Sequence, residues 1–157
     1  MMSNYRFSAA PAAILFDLDG TLIDSAPDLA AAVNHLRIQK GLPELPLSAL
    51  RPYASHGARG LIGAGLGVSP EDAEFESLRV AFLDYYEQHS TDRTTIFSGM
   101  NDVLTWLEQH RMPWGIITNK HARFTQPVVR ALGLDTRAAV VVSGDTTDYA
   151  KPHPAPM

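Results

Sequence analysis

The chain has 157 residues, 45% hydrophobic and 19% charged, with a formal net charge of −4. That is the make-up of one ordinary globular domain or two small ones, without the basic surplus that binds nucleic acid or a membrane surface. It has no cysteine, which excludes a disulfide framework and a thiolate metal site and fits a reducing, cytoplasmic setting.

Met1 to Pro11 lack the apolar core of a signal peptide. No run approaches the roughly 20 apolar residues of a membrane span. There is no internal repeat and no low-complexity segment. The first strong element is Ala12 to Asp24, an apolar run that ends in Asp17, Asp19 and then Gly20. Such a run reads as a parallel strand buried on both faces. Side chains alternate along a strand, so Asp17 and Asp19 are expected on one side, beyond the strand's carboxyl end where open parallel sheets bind ligands. Two carboxylates this close repel unless a cation, a shared proton or a reacting group separates them. A calcium loop does not fit, because Gly20 comes too early and Thr21 holds a ligand position.

Ser25 to Asp28 then reads as a helix start, with Pro27 in its first turn. Leu29 to Lys40 continues it with Leu29, Val33 and Leu36 on one face, and Gly41 is placed to close it. Pro43 and Pro46 mark a loop, after which Leu47 to Tyr53 begins a short helix. Residues 55–68 are rich in glycine, but their spacing is neither a dinucleotide fingerprint nor a Walker loop. They read as a short helix whose small residues permit close backbone packing. Ser69 to Asp72 is expected to cap a helix over Ala73 to His89, with Phe75, Leu78, Phe82 and Tyr86 along one face.

Thr94 to Met100 leads into a helix over Asn101 to His110, whose apolar face is read as Val103, Leu104 and Leu107. Met112 to Asn119 is a second strand that ends in polar residues, as the first does. A helix over Ala122 to Leu132 follows; its N-terminal amides are expected to help bind an anion. Ala138 to Asp145 reads as a third buried parallel strand. Three such strands with helical crossovers predict an α/β, doubly wound, Rossmann-like parallel sheet core. The chain closes on Lys151-Pro152-His153-Pro154-Ala155-Pro156.

The string Asp17-Leu18-Asp19-Gly20-Thr21-Leu22-Ile23-Asp24 after an apolar strand resembles the first signature of the haloacid dehalogenase-like superfamily of phosphotransferases. Thr118 at the end of the second strand and Lys151 before alternating prolines match its second and third signatures. The resemblance implies that Asp17 is the nucleophile, forming an aspartyl-phosphate. Asp19 would protonate the leaving oxygen and later take a proton from water. It also implies magnesium held by Asp17 and by Asp19 through its backbone carbonyl. Thr118 would bond a phosphate oxygen, and Lys151 would neutralise carboxylate and phosphate. Residues 1–24 and 92–157 would form the core, and residues 25–91 an inserted helical cap. The superfamily's fourth signature, an acidic pair on a further strand, has no counterpart before Met157. The core is therefore expected to be incomplete, with the signature strand at an edge and residues 1–157 a poor phosphatase or none.

The nearest branch in resemblance is that of the phosphoglycolate phosphatases, beside relatives that hydrolyse N-acetylmuramic acid 6-phosphate. The expected partner is a small phosphorylated metabolite, with oligomeric state left open. Asn119, Lys120, Arg59 and His56 are candidate substrate contacts. Lys120 and Arg59 read equally as solvated cations, and a single loop histidine such as His56 is seldom a ligand. A sugar phosphomutase on the same scaffold and a non-catalytic remnant are the competing readings.

Overall fold

A computed structural model describes residues 11–157. The leading segment read as lacking a signal-peptide core falls on residues 1–10, outside the described residues. Three strands, β1 (Ile14–Phe16), β4 (Trp114–Ile117) and β5 (Val141–Val142), form a parallel sheet in the order β1-β4-β5. Leu15 lies opposite Gly115, and Ile117 opposite Val142. The helix α6 (Ala122–Ala131) carries the chain from β4 to β5, while α5 (Met100–Gln109) precedes β4.

Only β4 is buried along its length. The expectation of three strands buried on both faces is corrected here, because a three-stranded sheet has one interior strand. Among the described residues β1 is an edge, with Leu15 44% exposed, and Val140 beside β5 is likewise open. The edge position of β1 agrees with the sequence reading. In α5, Leu104 and Leu107 face inward, whereas Val103 is exposed. Val103 belongs to the outer side of the helix with Trp106, which stacks on His110.

A two-stranded antiparallel ribbon, β2 (Ile23–Asp24) with β3 (Thr95–Ile96), takes the chain out of the sheet region and back. Between them lie α1 (Ala26–Gln39), α2 (Leu47–Leu50), a 3-10 helix (Arg51–His56), α3 (Gly57–Leu66) and α4 (Phe75–His89). α1 ends as its sequence predicts. Gly41 takes a positive φ of 72°, and the Gly41 and Leu42 amides donate back to Ile38 and Arg37. Gly65 of α3 lies so close to Val33 that a Cβ there would collide with it, which is the close approach expected of the glycine-rich stretch. α4 begins at Phe75, two residues late. Ser69 and Asp72 bond to each other instead and close a separate turn.

The buried apolar residues fall into two clusters. One, within the helical insert, joins Leu29, Val33, Leu36, Leu61, Ile62, Phe82 and Tyr86. The other surrounds the sheet with Leu18, Leu22, Leu104, Trp114, Ile116 and Val128. Each fully buried leucine or isoleucine contributes about 1.5–3 kcal/mol. Phe124 of α6 packs into the insert's cluster and so fastens the insert to the sheet side. The neck is fastened too. Asp28, 1% exposed, accepts hydrogen bonds from the amides of Arg93 and Thr94 and from the Thr94 hydroxyl. Arg51 holds Asp24 through both guanidinium nitrogens at 2.8 and 2.9 Å.

Candidate active site

Leu18, fully buried, turns inward between Asp17 and Asp19, so the two carboxylates leave the strand on the opposite side. The Leu18 carbonyl then accepts from the amides of Thr21, Leu22 and Ile23. This tight loop needs the positive φ of Gly20, 76°, which a side chain resists. At the end of β4, Thr118 is buried; its amide donates to the Val142 carbonyl and its Oγ1 accepts from the Lys120 amide.

Lys151 reaches back across the sheet end. Its Nζ donates to Asp17 Oδ1 at 2.8 Å and to the Ile117 carbonyl at 2.7 Å. Asn119 grips the backbone of the same lysine: Oδ1 accepts from the Lys151 amide and Nδ2 donates to the Lys151 carbonyl. Asn119 is held in turn, because its peptide presses on Gly144, where a Cβ would collide with the Asn119 carbonyl.

Asp19 meets a second lysine. Lys120 Nζ donates to Asp19 Oδ1 at 2.7 Å and to the Tyr86 hydroxyl at 2.7 Å, with only 10% of its side chain exposed. The Ser25 hydroxyl donates to the same Asp19 oxygen. Burial alone disfavours the Lys120 ammonium, but Tyr86 and Asp19 outweigh it and hold the lysine above its usual pKa. Burial also raises the Tyr86 phenol, which is therefore neutral at neutral pH and accepts from Lys120.

These groups open onto one cavity of about 540 Å³. The sheet side supplies Asp17, Asp19, Thr118, Asn119, Lys120, His121, Phe124 and Lys151; the insert supplies Leu29, residues 54–58, Phe82, Leu83 and Tyr86. The structure thus brings every expected site residue together except Arg59. His56, at the end of the 3-10 helix, lines the cavity; Arg59 is exposed on α3 and lies outside the lining. At the start of α6 one of the amides expected to help bind an anion, that of Ala122, donates to Asp145.

Tyr86 was legible only as part of an apolar stripe. A tyrosine among phenylalanines carries a hydroxyl that must find a partner when buried, and that signal could have found it. Ser25, at the start of α1, makes no capping bond and serves Asp19 instead. Asp17 and Asp19 are the carboxylates that line the cavity, while Asp145, beyond β5, holds the Ala122 amide. Among the described residues, no group of three or more His, Cys, Asp or Glu is placed to hold a metal ion.

Residues 14–157 match the family model described as haloacid dehalogenase-like hydrolase. The chain belongs to that family. It is 37% identical over 145 residues to N-acetylmuramic acid 6-phosphate phosphatase of Pseudomonas putida, covering 92% of this chain and 65% of the relative. Against phosphoglycolate phosphatase of Xanthomonas campestris pv. campestris the identity is 42% over 147 residues, covering 94% and 66%. The chain thus spans about two-thirds of the length of these relatives. Among solved structures, that of a predicted phosphoglycolate phosphatase from Haemophilus somnus superposes with a TM-score of 0.75 at 27% identity, covering 92% of this chain and 68% of that one.

Proposed function

We propose that this chain carries the phosphoryl-transfer site of a phosphomonoesterase acting on a small phosphorylated metabolite. The observation that carries the reading is Lys151 Nζ 2.8 Å from Asp17 Oδ1, in a cavity that also holds Asp19 and Thr118. An Asp17 carboxylate oxygen attacks phosphorus, and the phosphorus–oxygen bond to the alcohol breaks as the acyl-phosphate bond forms. Asp19 gives its proton to the departing alkoxide. Its Oδ1 already receives Ser25 and Lys120, so Oδ2 is the oxygen that exchanges the proton. Water then attacks the aspartyl-phosphate, Asp19 recovers a proton, and inorganic phosphate leaves. Lys151 offsets the negative charge gathered at Asp17, and the Thr118 hydroxyl donates to a phosphate oxygen.

The donors near Asp17 are hard oxygens, which suit magnesium, an ion often held by one or two carboxylates together with substrate phosphate and water. Asp17 and the Asp19 carbonyl would hold it, and when bound it would supply charge neutralisation for the transferring group. The apolar wall of Leu29, Phe82, Leu83 and Phe124 would shield the reaction from water. The domain reading belongs here as well: residues 25–91 act as a cap over a core made of residues 1–24 and 92–157.

The relatives' names indicate two substrate types, phosphoglycolate-like and N-acetylmuramic acid 6-phosphate-like. The test is phosphate release from both esters with magnesium, with a sugar phosphate scored for isomer formation in parallel. Release from either ester supports the reading. Isomer formation without release would replace it with a mutase.

A further inference from the structure

We infer that Asn119 is the positioning residue for Lys151 and makes no direct contact with substrate. The inference rests on the phosphatase reading only in taking Lys151 as the cation of the site. Lys151 stands beyond β5, on a segment that belongs to no helix or strand. Its four-carbon stem is flexible, and a lysine ammonium is a point charge with no shape to orient it. Yet its Nζ sits on two acceptors 2.8 and 2.7 Å away, Asp17 Oδ1 and the Ile117 carbonyl. Something must fix the backbone from which the stem departs.

Asn119 does this with both halves of its amide. Oδ1 accepts from the Lys151 amide at 2.8 Å, and Nδ2 donates to the Lys151 carbonyl at 2.9 Å. Asparagine suits the task because it offers a donor and an acceptor from one short planar group. Aspartate would keep the acceptor and lose the donor; alanine would lose both. The clamp is anchored at its other end. Asn119 follows Thr118 directly after β4, its carbonyl abuts Gly144, and the Gly144 amide donates to the Lys120 carbonyl. The end of β4 is thus tied through Asn119 to Lys151 and on to Asp17. An amide spent in this way reports on substrate through the lysine.

The protein contains three lysines, Lys40, Lys120 and Lys151, so the ammonium groups of the 15N-lysine-labelled protein can be followed individually by NMR. Lys120, held by Asp19 and Tyr86, serves as an internal control for the fold. In the unaltered chain the Lys151 ammonium should exchange slowly with water. Asn119→Ala should speed that exchange by about tenfold or remove the signal, leaving Lys120 unchanged, and Asn119→Asp should fall between. If Asn119→Ala disturbs Lys120 as well, Asn119→Asp decides alone. An unchanged Lys151 signal in the variant that keeps Lys120 intact would overturn the inference.

Inorganic phosphate provides the second reading, through a double-mutant cycle. In a Lys151→Ala background, adding Asn119→Ala should change phosphate affinity by less than about twofold. A further loss of about tenfold there would place Asn119 on the anion itself and contradict the inference. The ammonium spectrum requires no turnover, so it can fail while the phosphatase reading stands, and the reverse.

Discussion

Asp17 and Asp19 each hold a lysine at nearly the same distance, 2.8 and 2.7 Å, but in different surroundings. The Asp17–Lys151 pair is the open one: Asp17 keeps 46% of its side chain exposed, and the lysine arrives on a loop. The Asp19–Lys120 pair is enclosed, with Ser25 on the same carboxylate oxygen and Tyr86 of the insert on the same ammonium. One half of the site is reached from outside; the other is fastened to the helical insert. A carboxylate that must attack phosphorus needs approach, while one that only exchanges a proton can be held in place. The difference fits the proposed division of labour, and Tyr86 is the insert's contact with the lysine that Asp19 holds.

Removing the open carboxylate should have the largest effect. In a form extended to the length of the relatives, Asp17→Asn is expected to abolish phosphate release without changing the thermal midpoint appreciably, since an amide cannot form the acyl-phosphate. Asp19→Asn keeps the shape of the enclosed half but removes the acid, and should lower kcat by about 10²–10⁴-fold. Equal losses from the two substitutions would erase the distinction between the halves.

The neck of the insert sets how firmly the enclosed half is held. Asp28→Ala would leave the Arg93 and Thr94 amides and the Thr94 hydroxyl without their acceptor, at a cost of about 3 kcal/mol in urea unfolding. Tyr86→Phe sharpens the comparison more directly, because it takes from Lys120 its partner on the insert while keeping the ring in the insert's cluster. It should cost about 1–2 kcal/mol of stability and lower kcat, with Asp17–Lys151 unaffected.

The smallest expected effect lies at the Arg51–Asp24 pair. The Arg51 hydrogen bonds lower the Asp24 pKa, against a smaller opposing effect of burial. Asp24 is thus a group whose folded value is depressed. Its contribution is complete above the ordinary aspartate range and is lost as pH falls through the folded value. Arg51→Met should therefore cost about 0.5–1 kcal/mol at neutral pH, the pair being partly solvent-screened. Unfolding curves of the variant and the parent chain should converge in acid. A gap that persists in acid would assign the loss to packing of the arginine stem.

The carboxylates of both halves were legible, but their partners were not equally so. Asp17 and Asp19 stand at a strand end, where residue type and spacing mark them, and Thr118 and Lys151 were legible through the resemblance to the family's second and third signatures. The enclosed half depends on contacts across 101 positions for Lys120 with Asp19 and 34 for Lys120 with Tyr86. No local pattern carries these pairings, nor that of Lys151 with Asp17 across 134 positions. Lys151 was legible from its family signature, whereas Lys120 remained open between solvent and substrate, and the structure places it on Asp19 and Tyr86 in the cavity wall. The same limit applies to the fold. Helix faces and glycine stops were readable, including Leu29, Val33 and Leu36 on α1 and Gly41 after it. Strand burial was not, because an apolar run such as Ile14–Phe16 looks alike in the middle of a sheet and at its edge. Val103 was misplaced for a related reason: a valine between two faces of a helix is assigned by its neighbours in space.

The most direct test of covalent catalysis at Asp17 is to trap the intermediate. A form of the protein extended to the length of its relatives is mixed with a phosphomonoester it turns over, quenched in acid within the first turnover, and digested for peptide mass spectrometry. The expected result is a phosphoryl group on the peptide containing Asp17, labile to hydroxylamine and absent in Asp17→Asn. Phosphate release with no modified Asp17, or with the phosphoryl group on another residue, would contradict the assignment of Asp17 as nucleophile.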